Sequence, residues 1–151
     1  MYVLSHAIAV NPDGVEPKVS VEQLWRGLEM KAENAMPFVN GMTRCDVLER
    51  DAESLTRIIT FRGADHKERI TFMKPIQVTF ERLDGTGVID NTISESPFGL
   101  LLTFTFGVSF PGIEQNTEEE RQMGETMRGA YIGAVEATLA RVRQMVRDGE
   151  M

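Results

Sequence analysis

Four polar residues in this chain alternate with apolar neighbours in a way that carries them onto apolar faces. Arg57 shares one side of a period-two segment with Ile59 and Phe61, and Glu68 with Ile70 and Phe72. Asn91 stands in the same relation to Ile89 and Ile93, and His6 to Leu4 and Ile8. Tyr131 joins them from a helical stripe. A few polar groups in an otherwise apolar pocket fix the orientation of a small ligand. An arginine beside a glutamate keeps buried charge compensated. We therefore expect Arg57, Glu68, Asn91, His6 and Tyr131 to contact a ligand, with Phe104 and Met127 among its apolar contacts. The competing expectation is that these polar groups reach water near the strand ends or satisfy one another. No residue is assigned a catalytic role.

Other chemistries lack their residues. His6, His66 and Cys45 have no metal-ligand spacing, so neither a structural metal nor a cofactor is expected. Cys45 lies on a strand with no evident base beside it and reads as a small buried hydrophobe. Gly85-Thr86-Gly87 precedes a period-two segment and not a helix, so it reads as a hairpin turn instead of a phosphate loop. There is no Gly-x-Ser-x-Gly elbow. Glu118–Glu120 reads as a helix start, and Trp25 as packing.

The elements that must position these groups follow from the chain as a whole. It has 151 residues, 42% hydrophobic and 26% charged, which fits one globular domain over 1–151. Sixteen Lys and Arg against 23 Asp and Glu give a net charge of −7, a field that repels nucleic-acid backbones and anionic lipid surfaces. One cysteine permits no internal disulfide, no signal peptide is legible, and no apolar run is long enough to insert in a membrane. A cytoplasmic protein is expected.

Residues 2–10 alternate as a strand and end at Asn11-Pro12-Asp13-Gly14. Ser20 and Gln23 have the spacing of a capping box, with Val19 and Leu24 as its hydrophobic staple. Val21, Leu24, Trp25 and Leu28 then form a helical stripe. Pro37 ends that helix and opens a short second one with Phe38 and Val39 as anchors. Six strands are predicted at 42–50, 54–62, 66–73, 76–83, 87–95 and 100–110, each joined to the next by a short turn, as in an antiparallel meander. A helix over 117–148 closes the chain, acidic at its start and basic at its end. Its apolar stripe runs Met123, Met127, Ala130, Tyr131, Ala134, Thr138, Val142, Met145. Only this helix is long enough to cover the sheet's apolar face. Its middle is small, with Gly129, Ala130, Gly133, Ala134 and Ala137: these residues either leave room for a ligand or let the sheet approach and the helix bend.

The segments YVLSHAIAVN, VEQLWRGLEMKA, FVNGMTRCDVLE, VTFERLDG, NTISE and LLTFTF resemble the AtaL-like family. That bacterial and fungal family, long labelled a domain of unknown function, lies within the birch-pollen-allergen-like, START-like (SRPBCC) superfamily. The similarity covers 1–148. The resemblance implies an α+β helix-grip fold: a seven-stranded antiparallel sheet curved around a long C-terminal helix, two short helices after the first strand, and an internal hydrophobic cavity. Superfamily members bind lipids, sterols, hormones or polyketides there, and some catalyse cyclisation or dehydration. No catalytic residue carries over. We expect a carrier or sensor of a small apolar or aromatic molecule. The alternatives are a polyketide cyclase or dehydratase-like enzyme using Glu68, His6 or Tyr131 as acid or base, and an interaction module that forms a homodimer through its outer sheet face.

Overall fold

The computed structural model describes residues 1–151. Strand β1 spans Tyr2–Ala9, helix α1 Val21–Glu33, and a meander follows: β2 Met42–Arg50, β3 Ser54–Phe61, β4 Ala64–Met73, β5 Gln77–Arg82, β6 Gly87–Ser94 and β7 Leu101–Val108. Helix α2 spans Glu118–Arg147. The seven strands form one antiparallel sheet in the order β1-β7-β6-β5-β4-β3-β2. The first and second strands are thus opposite edges, and α1 carries the chain from one to the other. The helix-grip architecture is as expected.

One expected element is absent. No second helix follows α1; the N–H groups of Phe38 and Val39 both donate to the Ala35 carbonyl, which makes a single turn and no more. The chain reaches β2 at Met42, too soon for the turn to propagate, because extending a helix takes further residues to add its bonds. The β3–β4 connection is tighter than expected: Arg62 and Gly63, at φ 50° and 81°, form a two-residue turn, and β4 begins at Ala64. Paired left-handed residues match the twist of the flanking strands.

Alternation decides the faces. Leu55, Ile59, Ile70, Val78, Phe80, Ile93, Leu102, Phe104 and Phe106 are buried on the inner face. The outer face is largely hydroxyl-bearing and charged, with Ser5 Oγ 3.0 Å from Thr105 Oγ1 and Thr79 donating to Asp90 at 2.6 Å. Both helices lie on the inner face. The α1 capping box forms as expected: the Gln23 N–H donates to Ser20 Oγ at 3.1 Å and the Ser20 N–H to Gln23 Oε1 at 2.9 Å. Trp25 is buried edge-on to Phe72, 6.3 Å between ring centres.

Helix α2 is held at both ends. Near its start, Gly124 lies against Tyr2 so closely that a Cβ there would overlap the aromatic ring. Near its end, Val142 packs where a Cβ on Gly27 of α1 would stand. The Arg143 guanidinium donates to the carbonyls of Pro17, at 2.6 Å, and Val10. Met123, expected on the inward stripe, is exposed; Gly124 takes the inward position because only a glycine admits the Tyr2 ring.

Candidate functional site

Between these two anchorages α2 stands clear of its surroundings at its two other glycines. A Cβ added at Gly129 or Gly133 would meet no atom within 4 Å. The space beneath is a cavity of about 330 Å³, within the range usual for small-molecule sites. Its helix wall is Gly129, Ala130, Tyr131, Gly133, Ala134 and Ala137. Its sheet wall includes Ile59, Phe61, Phe80, Ile89, Phe104 and Phe106. Of the two roles open to the small residues of 129–137, leaving room is the one their surroundings fit. The close-approach role falls to Gly27 and Gly124, which the stripe reasoning did not single out.

Of the residues selected from sequence, Arg57, Glu68, Phe104 and Tyr131 line this cavity. Arg57 and Glu68 are directly opposed in the β3–β4 register and both are buried. The Arg57 Nε donates to Glu68 Oε1 at 2.9 Å, and its Nη2 lies 2.9 Å from the same oxygen. Arg57 Nη1 donates to the carbonyls of Lys31 and Ala32, at 2.9 and 2.8 Å. These belong to the last turn of α1, where carbonyls lack helical partners. Arg57 therefore clamps α1 to the sheet while lining the cavity. The Tyr131 ring stacks on Phe106, with centres 4.7 Å apart and planes 20° apart, and burial raises its hydroxyl above the ordinary phenol range.

The other three lie outside the cavity wall. His6 is on edge strand β1, where α2 covers it directly; its Nε2 is 4.0 Å from Glu136 Oε1. Met127 is near the rim, its sulfur 3.6 Å from Arg62 Nη1. Asn91 is fully buried and reaches the cavity through a residue the sequence reasoning missed. That residue is Lys31, whose Nζ donates to Asn91 Oδ1 at 2.8 Å.

Lys31 is the most perturbed group in the site. It is buried, and its Nζ lies 4.2 Å from the Phe104 ring centre and 5.0 Å from that of Phe80. Burial first, and the Arg57 charge second, lower its pKa to about 7. At that value ammonium and free amine coexist at neutral pH, whereas an ordinary lysine is almost wholly ammonium. Arg82 was also missed. It opposes Glu68 across the β4–β5 register and lines the cavity, but Glu68 is engaged by Arg57, and Arg82 Nε is buried without a hydrogen-bond partner. No three His, Cys, Asp or Glu side chains gather as a metal site, and no helix is long and apolar enough to cross a membrane. Cys45 is partly buried, and its sulfur accepts the Ala35 N–H at 3.4 Å.

Residues 4–149 match the family described as AtaL, acetylaranotin biosynthesis cluster protein L. The chain is 21% identical over 149 residues to the acetylaranotin biosynthesis cluster protein L of Aspergillus terreus (strain NIH 2624 / FGSC A1156), covering 97% of this chain and 90% of that protein. Its fold is similar to that of the Zhui aromatase/cyclase from Streptomyces sp. R1128, with TM-score 0.69 and 13% identity over 96% of this chain and 95% of that one. It is also similar to the di-domain ARO/CYC StfQ from the steffimycin biosynthetic pathway, with TM-score 0.66 and 10% identity over 98% of this chain and 52% of that one.

Proposed function

The chain belongs to the AtaL family, and from that premise we propose that it binds a small hydrophobic or aromatic molecule between sheet and α2, as a carrier or sensor. The observation that carries this reading is the unfilled space under Gly129 and Gly133, walled by aromatic rings. Glycine inside a helix costs roughly 0.5–1 kcal/mol relative to alanine. A chain that keeps two where neither is needed for a close contact gains room in exchange. The Aspergillus relative's description, which ties it to a biosynthetic cluster, agrees with a small-molecule partner.

Native mass spectrometry of the freshly purified chain, with solvent extraction and identification of any bound compound, tests the reading. Gly133→Leu supplies the control, because its side chain would occupy the cavity. The expected result is an apolar guest on the wild type and none on Gly133→Leu. A naphthalene-type ligand that stabilises both proteins equally would refute it.

One observation favours a second reading, a cyclase-type enzyme. Lys31 presents an amine with pKa about 7 to the cavity, suited to take a proton from a carbon acid at neutral pH. The two solved neighbours described as cyclases fit that use. Glu68 is less available as acid or base, since Arg57 occupies it. A carrier returns its guest unchanged. An enzyme converts it, and loses that conversion in Lys31→Met.

A further inference from the structure

The cavity is charged in the opposite sense to the chain that encloses it. The net charge is −7, yet the cavity wall holds four basic side chains, Lys31, Arg57, Arg62 and Arg82, and one acidic one, Glu68. The single carboxylate is paired through its Oε1 with Arg57, whose remaining bonds go to α1 carbonyls. Two basic groups are left short of acceptors, the buried Lys31 amine and the half-buried Arg82 guanidinium. Lys31 carries up to three N–H donors and has one acceptor, Asn91 Oδ1. Arg82 forms no ion pair with Glu68, and its buried Nε has no acceptor. A buried donor left unpaired is costly, and a charged one more so. The aromatic faces of Phe104 and Phe80 compensate Lys31 in part.

We propose that the cavity selects acidic aromatic molecules, whose carboxylate is held by Lys31 and Arg82 while the rings pack against Phe104, Phe106 and Tyr131. The proposal rests on the ligand-binding reading above and adds the charge of the ligand. It completes the unsatisfied donors and places the flat part of the guest beside the Phe106–Tyr131 stack.

Selection by charge carries a proton signature. The charged and titratable groups around Lys31 in the cavity are Arg57 on β3, Arg62 at the β3–β4 turn, Glu68 on β4, Arg82 on β5 and Tyr131 on α2. Without an anion, burial and Arg57 leave Lys31 with a pKa of about 7. An arriving carboxylate favours the ammonium and raises that value. Above neutrality, binding of the acid therefore takes up about one proton, and affinity for it falls as pH rises.

Isothermal calorimetry with 2-naphthoate and its neutral analogue 2-naphthamide tests this. In two buffers of different ionisation heat, the wild type at about pH 8 should take up close to one proton with the acid and none with the amide. At about pH 6.5 it should bind the acid at least about tenfold tighter, as expected of one charge-assisted contact. Lys31→Met should lose both the preference and the proton uptake while keeping its affinity for the amide. Arg82→Met should weaken the acid and keep the uptake. Should Lys31→Met not fold, the probe pair and the proton count on the wild type decide. Equal affinity for acid and amide, or acid binding without proton uptake, overturns the charge selection and leaves the cavity reading intact. Binding of neither probe overturns both.

Discussion

Helix α2 contains three glycines whose replacement by alanine separates its two structural roles. At Gly129 and Gly133 the new methyl would meet nothing within 4 Å. The only change there is helix propensity, so each alanine should stabilise by roughly 0.5–1 kcal/mol. Together they should raise stability by about 1–2 kcal/mol, and each kcal/mol is worth about 2–4 °C in Tm for a domain of this size. At Gly124 the same methyl would overlap three ring atoms of Tyr2, on the edge strand. The propensity gain remains, but forced overpacking costs about 1–3 kcal/mol, so the net effect should be a loss of up to about 2 kcal/mol. Urea unfolding of the three single variants and the Gly129/Gly133 double variant, followed by circular dichroism, measures all four. The decisive quantity is the difference in sign between position 124 and the other two. If Gly133→Ala destabilises as much as Gly124→Ala, the space beneath the middle of α2 is not open, and the cavity reasoning fails with it.

Three further outcomes follow from the site and the caps. Lys31 has its pKa lowered in the folded state, so the unfolded chain binds more protons between about 7 and 10.5, and folding stability rises with pH across that window. Denaturation of wild type and Lys31→Met at about pH 6.5 and 9.5 should show the rise in the wild type alone; equal slopes would contradict it. Arg57→Leu leaves the buried Glu68 unpaired and strips two α1 carbonyls of their donor, so it should cost about 3–5 kcal/mol, while Arg57→Met with Glu68→Leu should cost distinctly less. Ser20→Ala removes the hydroxyl that accepts the Gln23 N–H and should cost about 1 kcal/mol in thermal unfolding.

The sheet was legible because its strands alternate. Val78 and Phe80, or Phe104 and Phe106, announce their face without ambiguity, and turns rich in Gly, Pro and Asp mark where each strand stops. The same periodicity, carried one step further, reaches both missed residues. The β5 alternation through Val78 and Phe80 continues to Arg82, and the α1 stripe through Val21, Leu24, Trp25 and Leu28 continues to Lys31. Both are cations that an inspection for apolar residues skips. The burial of Lys31 depends on which partners lie opposite, and Asn91 and Phe104 come from strands far along the chain; Arg82 faces Glu68 only once the β4–β5 register is known. His6 lay outside the wall for a similar reason. Its strand periodicity places it inward, but only the strand order shows that β1 is an edge covered directly by α2.

Helix α2 behaves as a girder resting on two abutments, the Tyr2–Gly124 seat at one end and the Val142–Arg143 seat at the other. The residues that make these joints are not the small ones that line the cavity. Substitutions at Gly129, Ala130, Gly133, Ala134 and Ala137 can therefore resize the chamber below while both joints stay as they are. On the proposed ligand-binding reading, the guest is set by a few mid-span side chains, and changing it leaves the frame as it is.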